Sequence, residues 1–317
     1  MPFMYELKLD FSKDWTRYLK KQLENVGYKT GTKDTDIHYQ YFNLMNRLVG
    51  VKPRKVLVSK DFNIPEGYED AIQAIRVKIE KGEDINSHLS TSLLDSNYND
   101  GLLNDWGIYH LHLGTKLKKI RNKGSRRKGV FVERTGPLLF MRFDKEKAYM
   151  INVMEHNNWA KKEVIKIIHE NWPESIEKYL MKGVQVVSPQ LNDEAHEALR
   201  KHGITSMVQL EEGVIYMPLG GGVASNGDST AVVMTCLHYS NLIRGLELKV
   251  KNNYRNYIKE GERYGFKFKG RLHFCLRIID DVNIGTKYQP IYLTVPRRKV
   301  YAQELHSGLW VDLNTEI

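Results

Sequence analysis

The chain has 317 residues with 48 Lys+Arg against 38 Asp+Glu, which gives a formal net charge of +10. This balance favours an anionic partner, although it governs association rather than fold. Cys236 and Cys275 form no Cys-x-x-Cys motif, so we expect neither a disulfide scaffold nor a thiolate zinc site. The charged N-terminus and the lack of an 18-residue apolar run predict neither a signal peptide nor a membrane span, so we expect a cytoplasmic protein.

Residues 1–100 are predicted to form a mainly helical N-terminal region. Apolar residues recur at helical spacing in 12–27 and 37–50. A third helix is predicted between Pro65 and Gly82, which are typical of helix starts and ends. The alternating segment 55–59 predicts a strand between the second and third helices.

Residues 101–182 are predicted to form a central antiparallel sheet packed on helices. The segment 102–114, LLNDWGIYHLHLG, is interpreted as an extended run, with a strand predicted at 106–113. Further strands are predicted at 129–133, 137–143 and 147–155, and the polar sequence DKEK joins the last two as a hairpin. Helices are then predicted at 159–172, before Pro173, and at 174–181 and 192–202.

Residues 183–317 are predicted to form a C-terminal domain of helix and strand. A strand at 214 leads into a glycine-rich loop and a long helix at about 231–261. Strands follow at 270–279, 290–295 and 299–312. The expected fold class is therefore α+β, and the C-terminal domain is a candidate surface for a regulatory partner or for homo-oligomer formation.

The central strand carries a His-x-His pair. Alternation along a strand puts Tyr109, Leu111 and Leu113 on one face and His110 with His112 on the other. The apolar face is expected to pack on a helix, and the imidazole face is expected to meet solvent or line a cleft. Depending on strand register, Arg142, Asn152 and His156 could join the histidines on that face.

This set of side chains suits metal-independent RNA cleavage. One histidine can remove the 2′-OH proton and another can protonate the leaving oxygen, because their pKa values lie near working pH. An arginine can stabilise the charged phosphorane. An alternative is a zinc or manganese site built on His110 and His112, although no H-E-x-x-H motif accompanies them.

The segment 116–128 has eight basic residues in thirteen and no acidic one, and it is predicted to be a loop that binds RNA. The candidate contacts within it are Lys116, Lys118, Lys119, Arg121, Arg126, Arg127 and Lys128. Trp106, Tyr109 and Trp159 are candidates for stacking on unpaired bases. The alternative is a mobile, solvated loop without a ligand.

The sequences YHLHLG and LLFMRFDKEKAYMINVMEH resemble the core of RelE-type toxins and of the wider group of barnase-like, metal-independent ribonucleases. The similarity covers about 102–172. It implies a four-stranded sheet with an open face, an endoribonuclease without a cofactor, and catalytic roles for His110, His112, Arg142 and His156. RelE toxins are small, so the large C-terminal domain is a departure from that family.

The loop GGGVASNGDS at 220–229 is a second candidate site. A glycine-rich turn before a helix can present backbone N–H groups to an anion, which gives Gly221, Gly222, Ser225 and Ser229 as candidate ligand-binding residues. No G-K-[ST] follows, so the loop is not a P-loop. The glycines could equally make a sharp turn, with Asp228 or Ser229 capping the helix.

Three hypotheses result. The first is an endoribonuclease, in the manner of a toxin or a phage-defence effector. The second is a non-enzymatic nucleic-acid-binding or adaptor protein, in which the basic segment binds and the histidines are structural. The third is a metal-dependent hydrolase that uses the His-x-His pair.

Overall fold

The computed structural model describes residues 5–121, 128–155, 161–279 and 298–316. Within these ranges, helices are combined with mixed sheets, so the predicted α+β fold class is confirmed. The chain begins with β1 (Glu6–Leu9), α1 (Phe11–Asn25), α2 (Asp34–Arg47), β2 (Lys55–Val58) and α3 (Glu69–Lys81). The three predicted helices and the strand at 55–59 are confirmed, whereas β1 has no counterpart among the predictions.

Polar caps and glycines set the ends of these helices. The Asp10 carboxylate accepts a hydrogen bond from the Lys13 N–H and begins α1. Gly82 adopts a left-handed conformation with φ of 72° and ends α3, as a C-terminal glycine is expected to do.

The central part contains α4 (Gly101–Trp106), β3 (Tyr109–His112), β4 (Leu117–Arg121), β5 (Lys128–Val132), β6 (Pro137–Phe143) and β7 (Lys147–Glu155). The prediction that 102–114 is extended is wrong for its first half. The Asp100 side chain caps α4 by accepting from the Leu103 N–H, and Gly107, with φ of 66°, ends that helix before β3 begins.

The central sheet has the strand order β2-β7-β6-β3. β3, β6 and β7 pair antiparallel, but β2 pairs parallel with β7, so the sheet is mixed rather than purely antiparallel. The β6–β7 hairpin is confirmed. Asp144 shapes its turn, because one carboxylate oxygen accepts from the N–H groups of Glu146 and Lys147.

The remaining elements are α5 (Glu163–Asn171), α6 (Pro173–Ile176), α7 (Asp193–Lys201), β8 (Val208–Glu211), β9 (Val214–Tyr216), α8 (Thr230–Arg263), β10 (Arg271–Ile279), β11 (Lys299–Glu304) and β12 (Trp310–Glu316). The predicted strand at 290–295 lies outside the described residues. A second sheet has the order β1-β10-β11-β12, with β1 parallel to β10.

Both faces of the central sheet are buried. Leu111, Leu139 and Met141 belong to a large core that also contains α3 and extends to α1, α2 and α8. Leu138 and Phe140, which alternate with them, belong to a second core. That core includes the apolar face of α5, with Val164, Ile165 and Ile168 fully buried. Covering both faces leaves less open sheet surface than the sequence suggests.

The strand pairings cross the predicted boundaries at 100/101 and 182/183. β1 joins the C-terminal sheet, β2 joins the central sheet, and the large core extends from Phe11 to Leu313. The three predicted regions therefore share sheets and core in the folded chain. Among the helices of the described ranges, none combines the length and the apolar character needed to cross a bilayer.

Candidate nucleic-acid interface and the histidine strand

The basic segment predicted to be a loop forms an antiparallel hairpin, β4–β5, on both sides of residues 122–127. Its register pairs Lys119 with Val130, Ile120 with Gly129 and Arg121 with Lys128. Arg126 and Arg127 lie outside the described residues. A hairpin fixes the direction of each cation, which a loop would not.

Strand alternation sorts the hairpin cations into two faces. Lys119, Arg121 and Lys128 lie on one face, which we call the outer hairpin face, and all three side chains are exposed. Neither strand contains an acidic residue. Arg121 and Lys128 are cross-strand partners, and like charges in such a pair are destabilising. An anion bound between them would relieve that repulsion.

The opposite hairpin face holds β5 on the protein. Phe131 is 5% exposed and belongs to the large core, and Ile120 packs against that core. A Cβ on Gly129 would lie 2.4 Å from the Phe131 ring, so glycine is required where the strand passes over this ring. The hairpin is thus anchored through β5, while β4 is exposed at four of its five residues.

Lys118 differs from the outer-face cations. It shares a face with Phe131, and its ammonium nitrogen lies 2.7 Å from a carboxylate oxygen of Glu133. The hydrogen bond from Lys118 lowers the pKa of Glu133. Lys116 is exposed at the base of the hairpin, where its carbonyl accepts from the Glu133 N–H. The pairing of Lys118 with Glu133 was not predicted from the sequence, because Glu133 lies five residues beyond the basic segment 116–128.

The register places His110, His112 and Arg142 on a common face of the central sheet. His110 pairs with Phe140 and His112 with Leu138 in β6, and Arg142 lies two residues beyond Phe140. Asn152 pairs with Phe140 from the other side. His156 lies outside the described residues.

That common face is covered rather than open. His112 is 3% exposed and Arg142 is 8% exposed, and their neighbours Leu138 and Phe140 pack in the core under α5. The expectation that the imidazole face meets solvent or lines a cleft therefore does not hold for His112. The reason is the long-range packing of α5 on this face, which strand alternation does not specify.

Buried histidines at this end of β3 have structural partners. The Thr135 N–H points at His112 Nδ1 over 3.4 Å. His88, itself 6% exposed, lies with Nδ1 2.8 Å from the His112 carbonyl oxygen. Since a carbonyl only accepts, His88 Nδ1 carries the proton. Burial lowers the pKa of His88, which favours the neutral ring.

His110 and Arg142 have surroundings that leave little space. His110, half-buried, lines a cavity of about 20 Å³ together with Arg47 and Tyr109. A cavity of that size accommodates about one water molecule and not a nucleotide. The Arg142 guanidinium lies 5.6 Å from the centre of the Tyr179 ring.

Two of the three aromatic residues proposed to stack on bases, Trp106 and Tyr109, pack in or against the protein core. Trp106 is fully buried, and the Tyr109 hydroxyl donates to the Asn46 carbonyl. Burial raises the pKa of Tyr109. Trp159 lies outside the described residues. Trp106 is therefore a core residue, and Tyr109 is half-buried and packs against the large core.

The glycine-rich loop packs on α4 instead of presenting its amides to solvent. Gly221 N–H donates to the Pro218 carbonyl and Gly222 N–H to the Asn104 carbonyl. A Cβ on Gly220 would lie 2.1 Å from the Leu103 carbonyl oxygen, so glycine is needed for this approach. These amides are therefore already used within the protein and are not free to hold an anion.

At the start of α8, the backbone N–H of Ser229 is likewise occupied by a partner within the protein. Ser229 occupies the N-cap position and is fully buried, but its side chain caps no N–H group of the helix. Its own N–H donates to the Tyr39 hydroxyl over 2.9 Å. Ser225 is exposed in the turn before it. The candidate ligand residues therefore do not converge on an open anion site.

A metal site would need several donor side chains in one place. Across residues 5–121, 128–155, 161–279 and 298–316, no group of three or more His, Cys, Asp or Glu side chains is placed to hold a metal ion. His110 and His112 thus have no third donor of these types among the described residues.

No family model, no curated protein and no solved structure matches this chain. The similarity to RelE-type toxins therefore stays a prediction from the sequence.

Proposed function

We propose that the protein binds the phosphodiester backbone of a nucleic acid, with RNA as the expected polymer, through the outer hairpin face. One observation carries the proposal: Lys119, Arg121 and Lys128 are exposed on the same side of an anchored hairpin, and neither strand contains an acid. Phosphate contacts of this kind position a nucleic acid without reading its sequence.

Electrostatics supports the same conclusion. Two unit charges 4 Å apart repel by about 1 kcal/mol in water. Repulsion between the cations of one short hairpin therefore destabilises the protein when no anion is bound. A phosphate backbone replaces that repulsion with attraction and releases its condensed counterions. The net charge of +10 adds long-range attraction.

The test uses a triple variant, Lys119→Gln, Arg121→Gln and Lys128→Gln, with Lys118→Gln as the matched control. Labelled RNA and DNA of one sequence are titrated by fluorescence anisotropy, and heparin serves as a competitor without bases. We expect the triple variant to bind RNA about tenfold or more weakly at 100 mM salt, and the control to change much less. Equal binding by the wild type and the triple variant would overturn the proposal.

We propose RNA cleavage as a second function, supported by the common face of His110, His112 and Arg142. His112 and Arg142 are buried, so RNA could reach them only if the elements packed on this face of the sheet, including α5, moved away. A role as a cytoplasmic toxin or defence effector belongs to this second proposal.

Incubation of RNA with the wild type and with His110→Ala, each with and without EDTA, tests cleavage. EDTA-resistant cleavage that the variant loses supports the acid–base proposal. EDTA-sensitive cleavage would favour a metal-dependent hydrolase, and binding without cleavage would overturn the second proposal while leaving the first intact.

A further inference from the structure

The second sheet has one face in the core and one face toward solvent. Leu272 and Phe274 of β10, with Val300 and Ala302 of β11, are buried in the large core. The residues that alternate with them form the opposite face, which we call the sheet platform. It comprises Glu6, Lys8, Arg271, His273, Cys275, Arg277, Ile279, Lys299, Tyr301, Gln303, Trp310, Asp312 and, at the register position opposite Lys299, Glu316. Cys275 is only 8% exposed, so the platform is not open to solvent at that position.

Two aromatic side chains lie together on the platform. Cross-strand register pairs Gln303 with Trp310 and Tyr301 with Asp312, and this places the two rings diagonally on neighbouring strands. Their centroids are 5.9 Å apart and their planes meet at 74°. Trp310 is 46% exposed, whereas Trp15, Trp106 and Trp172 are at most 7% exposed. An indole held this far in solvent is well placed to contact a ligand.

Cations surround these rings. Arg277 pairs with Tyr301 across β10 and β11, and its Nε donates to Gln303 Oε1 over 2.8 Å, which fixes the guanidinium beside the aromatic pair. Lys299 lies two residues before Tyr301 on the same face and is exposed. Arg271 is matched by Glu6 at 2.8 Å. With Lys8, the platform positions carry four Lys and Arg residues against three acidic residues, Glu6, Asp312 and Glu316, the last of which is the cross-strand partner of Lys299.

We propose that the sheet platform binds single-stranded nucleic acid, with a base stacked on Trp310, a neighbouring base against Tyr301, and the backbone contacting Arg277 and Lys299. Flat aromatic faces accept any base, but only when that base is unpaired, and nearby cations follow the phosphates. The proposal shares with the hairpin proposal only the class of ligand and depends on a different set of residues. It predicts a preference for single strands that the outer hairpin face alone would not give.

The experiment compares a labelled 12-nucleotide oligouridine with a 12-base-pair RNA duplex. The variants are Trp310→Ala, Trp310→Phe and, as an exposed aromatic outside the platform, Tyr264→Ala, since Tyr264 is 77% exposed. We expect Trp310→Ala to weaken oligouridine binding about 5- to 150-fold and to leave duplex binding unchanged. Trp310→Phe keeps a stacking face and should retain most of the affinity, and Tyr264→Ala should bind both RNAs like the wild type.

Intrinsic fluorescence gives a second readout. Oligouridine should quench the exposed tryptophan of the wild type, and that quenching should disappear in Trp310→Ala. Unchanged oligouridine affinity in Trp310→Ala would overturn the platform proposal. An equal loss for duplex and single strand would also overturn it, because stacking affects only unpaired bases. If the triple hairpin variant still loses duplex binding in either case, the hairpin proposal stands, so the two failures are distinguishable.

Discussion

Replacing His112 by alanine distinguishes a structural imidazole from an accessible one. His112 is 3% exposed, and its β6 partner Leu138 is fully buried. Truncating a buried phenylalanine or tryptophan to alanine costs about 3–5 kcal/mol, and histidine is smaller. The 3.4 Å contact with the Thr135 N–H is too long to add much. We expect the free energy of unfolding to fall by about 2–4 kcal/mol.

Urea unfolding followed by circular dichroism and by tryptophan fluorescence measures this change. His306→Ala is the matched control, because His306 is an exposed histidine in the turn before β12, and its loss should change stability by less than about 0.5 kcal/mol. A loss below about 1 kcal/mol for His112→Ala, close to that of the control, would refute the buried placement of His112.

Three further predictions concern the packing around α4. Arg200→Met should lower the free energy of unfolding by about 3–5 kcal/mol, because it leaves the 6%-exposed Asp105 carboxylate unpaired, and urea unfolding should show most of the loss recovered in Arg200→Met/Asp105→Leu. Burial lowers the pKa of His196 from 6.5 to about 4, so the unfolded chain binds the proton first as the pH falls. Stability should therefore be complete above pH 6.5 and fall by about 1–2 kcal/mol by pH 5, after solvent screening, and His196→Asn should remove this pH dependence from urea midpoints. Gly107→Ala should lower the thermal midpoint and cost more than about 1 kcal/mol, because φ is 66° and the new Cβ would lie 2.9 Å from the Arg142 guanidinium; an unchanged midpoint would contradict this geometry.

Local signals in the sequence predicted elements whose ends are set by local chemistry. Gly82 ends α3 through its left-handed backbone, and Asp144 closes the β6–β7 turn with its own carboxylate. The periodicity of α5 was equally readable, because its buried residues recur at helical spacing. In each case the decisive contacts lie within a few residues along the chain.

Contacts between distant segments could not be predicted in this way. β1 pairs with β10 across more than 260 residues, and four residues of mixed polarity gave no strand signal on their own. The alternation of His110 and His112 in β3 was predicted, but the sequence could not say that α5 covers their face. The extended prediction for 102–106 fails for a different reason, because the Asp100 cap that begins α4 is a local signal, only three residues from the Leu103 N–H that it binds.

The basic segment 116–128 has one property that could be predicted from the sequence, its charge, and one that could not, its strand pairing. Its charge is evident from composition. Its strand character is hidden because Lys118 and Lys119 put cations on both faces of β4, which breaks the alternation of apolar and polar residues. The pairing of Arg121 with Lys128 sorts the cations into faces, and pairing is fixed by register rather than by composition.

The salt dependence of RNA binding tests the central claim most directly. Each phosphate contact with a single strand contributes about −0.7 to the slope of log K against log [salt]. The triple variant at Lys119, Arg121 and Lys128 should therefore have a slope shallower than that of the wild type by about 2, while Lys118→Gln should change it by much less. Equal slopes for wild type and triple variant, or an equal change in the Lys118 control, would contradict binding through the outer hairpin face.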